Sequence, residues 1–162
     1  RAQDPVHLVT HFCQFGFYLF GKTELTKMGH KVDRILCPEK KFISSSEEKN
    51  YKLNRIHKGI YDLVIELHLN AASTAAEGTE VLYKSAAGKK YAAAVQKQLS
   101  TVFKNRGILQ RDNLYILNQT KPPTILIETF FCTSKSDYKK GKGLANRRKL
   151  AKLIASGIQK TK

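Results

Sequence analysis

Residues 61–71 form a short apolar run bounded by polar positions, which is the pattern of a core β-strand. Successive side chains of a strand point to opposite faces of its sheet. One face of this strand would carry aliphatic residues, whereas the other would carry Glu66, His68 and Asn70. Three polar side chains on one face are costly to bury without partners. His68 is therefore a candidate site residue; the alternative is a core histidine bonded to the backbone.

A second apolar run, residues 122–131, contains one ionisable residue, Glu128. A carboxylate inside such a run is seldom fully buried unless it is paired or bound to a metal. A histidine and a glutamate at the ends of two core strands predict a metal site at the edge of a sheet. The alternative for Glu128 is a structural ion pair with one of the many lysines.

The rest of the chain alternates between predicted strands and predicted helices. Further strands are expected within residues 6–20 at least as far as His11, and at residues 31–37, 79–84 and 114–117. Helices are expected at residues 24–28, 47–59 and 88–104, and from residue 138 as a basic amphipathic helix. This alternation predicts a single α/β domain over residues 1–162, with helices on both faces of the sheet.

The charge of the chain points to a polyanionic partner. Lysine and arginine total 29 against 13 acidic residues, which gives a formal net charge of +16. Such a surface attracts nucleic acid, anionic lipid or a bacterial wall that carries teichoic acid. Nucleic acid is not expected as the partner, because no strand face interleaves aromatic and basic residues.

Cysteines and apolar segments exclude two further classes of protein. The three cysteines, Cys13, Cys37 and Cys132, are far apart and odd in number, so free thiols are expected rather than a disulfide framework. No run is long enough to span a membrane. Residues 5–21 are apolar but contain two histidines and no cleavage site of small residues, so no signal peptide is predicted.

Four motifs together resemble the zinc-dependent N-acetylmuramoyl-L-alanine amidases of bacterial autolysins and phage endolysins, and the clostridial endolysins above all. They are Glu-Leu-His-Leu-Asn-Ala at 66–71, Gly-Thr-Glu-Val-Leu-Tyr at 78–83, Asn-Arg-Gly at 105–107 with Asn-Leu-Tyr-Ile-Leu at 113–117, and the run at 123–131. Their order and spacing match over about residues 29–160. Each motif alone is a weak signal, and the combination is specific.

The resemblance implies a mixed, twisted sheet of about six strands and a hydrolase that cleaves the amide between N-acetylmuramic acid and L-alanine of the stem peptide. It also implies a Zn2+ ion with three protein ligands and one open position. By position, His11 and His68 would be ligands and Glu128 the catalytic carboxylate. Glu24 is the only carboxylate between His11 and Gly29, which makes it the candidate for the remaining ligand.

The N-terminal residues 1–28 are atypical for this family. The first ligand usually follows glycine, whereas here Thr10 precedes His11. Residues 12–28 are also too few for the usual loop and full helix, since a mean helix alone takes about 11 residues. Two polar neighbours of His68 are candidates for substrate contact. Glu66 would orient a ligand or the substrate, and Asn70 would hold the substrate backbone or cap a loop.

The sequence therefore predicts a peptidoglycan hydrolase that acts at the bacterial cell wall through zinc-activated water. Its expected partners are peptidoglycan and the anionic wall, with no nucleic acid or membrane, and a monomer is expected. Two alternatives stay open: a zinc peptidase that cuts elsewhere in the stem peptide, and a non-catalytic, basic wall-binding domain with a degenerate metal site. The missing signal peptide favours a phage lysin released from the host cytoplasm, but a bacterial role also fits.

Overall fold

The computed structural model describes residues 7–12, 17–35 and 42–161, and the side chains within these ranges from residue 21 onward. Strands and helices alternate along most of this part of the chain. In order they are β1 (His7–Phe12), α1 (Phe17–Lys27), β2 (Lys31–Ile35), α2 (Ser45–His57), β3 (Leu63–Asn70), β4 (Thr79–Tyr83), α3 (Ala86–Leu99), β5 (Asn105–Gln110), α4 (Tyr115–Gln119), β6 (Thr124–Phe131), α5 (Lys135–Gly141) and α6 (Leu144–Gln159).

The strands form one mixed sheet in the order β2-β1-β3-β6-β4-β5. Strands β1, β2, β3 and β6 run parallel, so their carboxyl ends meet at one edge of the sheet. Strand β4 is antiparallel to β6 and parallel to β5. The amino end of β4 therefore lies beside the carboxyl end of β6, although the two are far apart in sequence.

Helices cover both faces of the sheet, as the sequence predicts for an α/β fold. On one face, α1, α3 and α6 enclose a core that includes Ile65 of β3 and Ile127 of β6. On the other face, α2 and α4 pack on a smaller cluster that includes Val64 and Leu126. The strands are therefore buried on both sides at their centres.

Serine residues set the starts of three helices. Ser44, Ser85 and Ser134 each accept a hydrogen bond from a backbone N–H of the following turn, at the starts of α2, α3 and α5. A side-chain oxygen at this position satisfies one of the N–H groups that the first turn leaves without a helical partner. Helix α3 consequently begins at Ala86, two residues before the glycine at which the sequence places its start.

Several predictions for the secondary structure differ from the structure. Residues 12–28, judged too few for a loop and a full helix, contain the 11-residue helix α1, which begins well before the helix predicted at residues 24–28. Residues 114–117, predicted as a strand, belong to helix α4, because a four-residue apolar run does not distinguish the two states by its period. The polar strand β5 was not predicted, since it lies at the sheet edge and lacks an alternating apolar face. The C-terminal segment is two helices: Gly143, with φ +83°, separates α5 from α6 in a conformation that favours glycine.

Candidate active site

Polar side chains replace the apolar ones where the α2/α4 face of the sheet reaches its carboxyl edge. Along β3, Val64 is followed on the same face by Glu66, His68 and Asn70, and along β6, Leu126 is followed by Glu128. The register pairs His68 with Glu128, and Glu128 with Glu80 of β4. Three neighbouring strands therefore place an imidazole and two carboxylates in one row across the sheet.

His68 and Glu128 form the open centre of this row. His68 Nδ1 lies 3.6 Å from Glu128 Oε1, and the two side chains are 33% and 17% exposed. Within the ranges that the structure covers, the buried Oε2 of Glu128 has no hydrogen-bond partner. A buried carboxylate oxygen without a donor is costly, so this atom is suited to bind a proton, a water molecule or a cation.

Behind His68 lies Glu66, which is 1% exposed. Glu66 Oε1 is 3.4 Å from His68 Nε2, accepts a hydrogen bond of 3.1 Å from the Tyr115 hydroxyl, and lies 3.7 Å from Lys52 Nζ. Lys52 is itself buried and forms an ion pair of 2.8 Å with Glu48. Charges of opposite sign therefore alternate from the surface to the ring of His68.

Burial, followed by the negative charge of Glu66, raises the pKa of Tyr115 well above its usual range. Tyr115 thus stays a hydroxyl donor over the whole pH range in which the protein functions. Because Tyr115 and Lys52 contact Glu66 from the interior of the protein, its Oε1 has a fixed position beside His68. Such support orients a histidine ring and is typical of the surroundings of metal ligands.

Glu80 and Asn70 close the other side of the row. Glu80 accepts hydrogen bonds from Arg106 Nε at 3.0 Å and from Asn70 Nδ2 at 3.1 Å. Asn70 Oδ1 accepts a hydrogen bond of 2.9 Å from the backbone N–H of Ala71. Both ends of the Asn70 amide are therefore engaged within the protein, which supports the loop-capping alternative. Its contact with substrate stays a prediction.

The two remaining predicted ligands differ in position. His11 lies in β1, and its backbone pairs with Glu66 on the neighbouring strand, close to the row; its side chain lies outside the described atoms. Glu24 lies in the last turn of α1, which runs back from the carboxyl end of β1 to the amino end of β2. There it is buried and pairs with Lys27 at 3.2 Å.

The structure therefore does not bring Glu24 to His68 and Glu128, which lie at the opposite edge of the sheet. The cause is the direction of α1 in a parallel β-helix-β connection, which the sequence gap of residues 12–28 does not reveal. No group of three or more His, Cys, Asp and Glu side chains suited to a metal ion occurs among the side chains that the structure describes. Glu24 as a ligand stays a prediction, and its surroundings favour a structural role.

The donor set at the row fits a zinc ion in chemical type. Imidazole nitrogen and carboxylate oxygen are ordinary zinc ligands. His68 offers the first, and Glu128 offers the second through Oε2, which has no hydrogen-bond partner among the described residues. His11 would add a second imidazole from the adjacent strand.

Sequence reasoning missed the residues that support the row. Glu80, Lys52 and Tyr115 come from β4, α2 and α4, three elements that are well separated in sequence. A lone carboxylate in the strand of residues 79–84 was the only signal for Glu80. Nothing in the sequence pairs Tyr115 with Glu66, since they are 49 positions apart.

Comparison with known proteins agrees with this fold. The profile of the N-acetylmuramoyl-L-alanine amidase family matches residues 22–160, and the chain belongs to this family. The match begins within residues 1–28, the segment that the sequence predicts to be atypical for the family.

Among solved structures, the catalytic domain of the CD27L endolysin targeting Clostridia difficile is similar, with a TM-score of 0.82 and 41% identity over 94% of this chain and 96% of that one. The catalytic domain of the amidase CwlV from Bacillus (Paenibacillus) polymyxa var. colistinus shares the fold, with a TM-score of 0.74 and 17% identity over 95% of this chain and 97% of that one.

Among curated relatives, the N-acetylmuramoyl-L-alanine amidase LytC of Bacillus subtilis is 30% identical over 71% of this chain and 25% of its own length. The uncharacterised protein YqiI of the same species is 30% identical over 60% of this chain and 50% of its own length. The chain spans half or less of the length of these two relatives.

Proposed function

We propose that this chain hydrolyses the amide bond between N-acetylmuramic acid and L-alanine of the stem peptide, with Zn2+ as cofactor. The proposal rests on His68 and Glu128, two partly exposed side chains at the edge of the sheet. Their Nδ1 and Oε1 atoms lie 3.6 Å apart. Family membership and the likeness to an endolysin catalytic domain support the choice of this bond. The place of action would be the cell wall.

Zinc would be held by His68 and, from the adjacent strand, by His11. When bound, the ion supplies Lewis-acid polarisation of the scissile carbonyl. Glu128 takes a proton from the attacking water as its oxygen adds to the carbonyl carbon. As the carbon–nitrogen bond breaks, Glu128 returns that proton to the leaving amine of L-alanine, so the carboxylate is regenerated.

Glu66 contributes by position. Fixed by Tyr115 and near Lys52, it holds one side of the His68 ring while the other side faces Glu128. The wider row of carboxylates is partly neutralised by Arg106 at Glu80. We infer that this leaves Glu128 as the carboxylate of the row that is available for proton transfer.

The position of Glu24 favours a second candidate function, a wall-binding domain without turnover. If zinc requires a carboxylate from α1, the described residues do not supply it next to His68. This alternative predicts binding to peptidoglycan without release of products. A zinc peptidase, by contrast, would expose amino groups other than that of L-alanine.

Digestion of purified peptidoglycan separates these three possibilities. Newly exposed amino groups would be labelled and identified after acid hydrolysis, and zinc per chain would be measured by elemental mass spectrometry on protein prepared without metal-affinity steps. The proposal expects L-alanine as the new amino terminus, close to one zinc per chain, and loss of that zinc in His68→Ala. Wall binding with no new amino terminus and no zinc would establish the second candidate.

Glu24→Gln tests the ligand assignment by itself. Because Glu24 pairs with Lys27 at the far edge, this variant should keep its zinc, while losing an ion pair worth at most about 1 kcal/mol of stability. Loss of zinc in Glu24→Gln, with an unchanged melting temperature, would instead assign Glu24 to the metal. The predicted monomer is tested separately, by sedimentation.

A further inference from the structure

Basic side chains from three separate elements converge beside the edge strand β2. A cavity of about 510 Å³ there is lined by Lys22 of α1, Arg34 of β2, and Arg55 and Lys58 at the end of α2, together with Asp33, Ile35 and Tyr61. Among the described residues, four cations thus face one carboxylate. Their sequence positions are unrelated, so the fold alone creates this concentration of charge.

The carboxylate of Asp33 already has a partner. Asp33 Oδ2 accepts a hydrogen bond of 3.1 Å from the Tyr61 hydroxyl. Arg55 in turn lies over the ring of Tyr51, 4.6 Å from its centroid, which limits the orientations of its guanidinium. The excess of cations among the described lining makes the cavity positive, and Arg55 is held in place by its contact with Tyr51.

A second cavity, of about 560 Å³, continues the first across the surface of α1. It shares Lys22 and Arg34 with the first and adds Lys27 and the hydroxyl-bearing Thr23 and Thr26. Lys27 is partly neutralised by Glu24. The two cavities adjoin at Lys22 and Arg34, and together they are called the basic groove, defined by Lys22, Lys27, Arg34, Arg55 and Lys58 beside β2.

The shape and charge of the groove select the chemistry of its ligand. Spaced cations along a groove match a linear polymer with spaced negative charges better than a single small anion. Lysine and arginine with nearby hydroxyl groups are the usual partners of phosphate oxygens. Nucleic acid fits less well, because Tyr61 is the only aromatic residue among the described lining of the groove, whereas bases need aromatic faces for stacking.

We propose that the basic groove binds a linear, phosphodiester-linked anionic polymer of the bacterial wall. The wall as the source of that polymer rests on the proposed function, whereas the phosphate chemistry of the groove does not. Strand β2 lies three strands from β6, which is roughly 14 Å at about 4.8 Å per strand. A polymer in the groove would therefore hold the protein on the wall beside the row of His68 and Glu128 without covering it.

One cation of the groove also has a structural role. Charged residues on an edge strand also prevent it from pairing with another sheet. That role accounts for Arg34, which lies on β2 itself. It does not account for Lys22, Arg55 and Lys58, which come from helices and face the same cavity.

Two triple variants of equal charge test the groove. Lys22→Gln with Arg55→Gln and Lys58→Gln alters the groove. Lys89→Gln with Lys90→Gln and Lys97→Gln alters exposed lysines of α3, a helix that lines neither cavity. Both lower the net charge of +16 by three units. Binding of a synthetic glycerol-phosphate oligomer would be measured as a function of salt, with melting temperatures as the check of folding.

The groove triple should weaken oligomer binding by roughly tenfold or more. It should also lower the slope of log affinity against log salt by about two, at about 0.7 for each phosphate that the protein no longer neutralises. The α3 triple should weaken binding less than about twofold. Equal weakening of oligomer binding in both triple variants would overturn the proposal that the groove is the binding site. It would show that the oligomer is attracted by diffuse charge alone.

Two further measurements complete the test. A single-stranded DNA oligonucleotide of equal charge should bind more weakly than the glycerol-phosphate oligomer, and tighter binding of DNA would overturn the wall polymer as ligand. Hydrolysis of a small, uncharged muropeptide should be the same in both triples and in the original chain. Absence of hydrolysis in all three would reject the proposed function while leaving the groove result intact.

Discussion

The two faces of β3 show how one strand divides its residues between stability and chemistry. Facing α1, α3 and α6, the side chains of Leu63, Ile65 and Leu67 are buried in a dry apolar core. On the face toward α2 and α4, Val64 is followed by Glu66 and His68, which belong to the partly exposed group of charged side chains. Packing of the apolar face fixes the backbone of β3. The same packing therefore also sets the geometry of the polar face, although the apolar side chains do not touch it.

Because neighbouring residues of β3 lie on opposite faces, we expect their substitutions to have different effects. Changes on the dry face should lower the free energy of unfolding, whereas changes in the row should lower activity or metal binding at nearly constant stability. Three experiments test that division, in decreasing order of expected effect, and a fourth, with the smallest effect, concerns Tyr61 beside β2.

Glu128→Gln should have the largest effect and should affect activity alone. Without a carboxylate to carry the proton, hydrolysis of peptidoglycan should fall by about 10²–10⁴-fold, the range typical of general acid–base catalysis. The melting temperature should change little, because the side chain is not fully buried and the amide preserves its volume. Residual activity within tenfold of the original chain would remove Glu128 from the reaction.

Ile65→Ala tests the opposite face of the same strand. The side chain is 1% exposed, so its removal leaves a cavity and should cost about 2–5 kcal/mol of unfolding free energy. Below the unfolding transition, zinc content should match that of the original chain. Chemical denaturation supplies the first measurement, and a cost below 1 kcal/mol would show that the two faces are not divided as described.

Tyr115→Phe tests the link between the row and its support from the protein. The variant removes the hydroxyl that donates to Glu66, and zinc affinity should fall by roughly tenfold, the lower end for groups that orient a metal ligand. Competition with a chelator measures this affinity. Tyr61→Phe is the matched control, since its hydroxyl donates to the distant Asp33. A similar reduction in both variants would argue against a role for Tyr115 through Glu66.

Tyr61 itself should show a small effect of pH on stability. Burial, together with the hydrogen bond to Asp33, raises the pKa of Tyr61 to about 12. A pKa raised in the folded state contributes stability below the unfolded value of about 10, and this contribution disappears as the pH rises through 12. The melting temperature of Tyr61→Phe should therefore fall less than that of the original chain between these values. If the melting temperatures of the two proteins fell equally with pH over this range, the raised pKa of Tyr61 would be contradicted.

Much of the fold follows from local pattern in the sequence. The alternation of residues 63–70 is strong enough to predict both the strand and the face that carries His68. Glu128 is conspicuous because it is the only ionisable residue in its run. Helix α4 and strand β5 were missed because each is short and lacks a clear period, so the state of these residues depends on the neighbours against which they pack.

The ligands of the predicted metal ion were harder to infer from the sequence than the proximity of His68 and Glu128. Sequence order suggests Glu24, since it is the only carboxylate between His11 and Gly29, but order along the chain does not give the direction of a helix. The return of α1 to the amino end of β2 carries Glu24 away from His68. Tyr115 and Lys52 had no local signal at all, because their polar role exists only once α2 and α4 are packed on the sheet.

By itself, the sequence determined which residues are chemically able to act: His68 and Glu128 in apolar strands, and a large excess of cations. Only the tertiary structure decided which of these meet. It placed β6 beside β3 and reversed β4, so that Glu128 faces both His68 and Glu80. It also gathered Lys22, Arg55 and Lys58 into one groove. The physical reason is that residue type is local, whereas proximity is set by how buried faces pack across the whole chain.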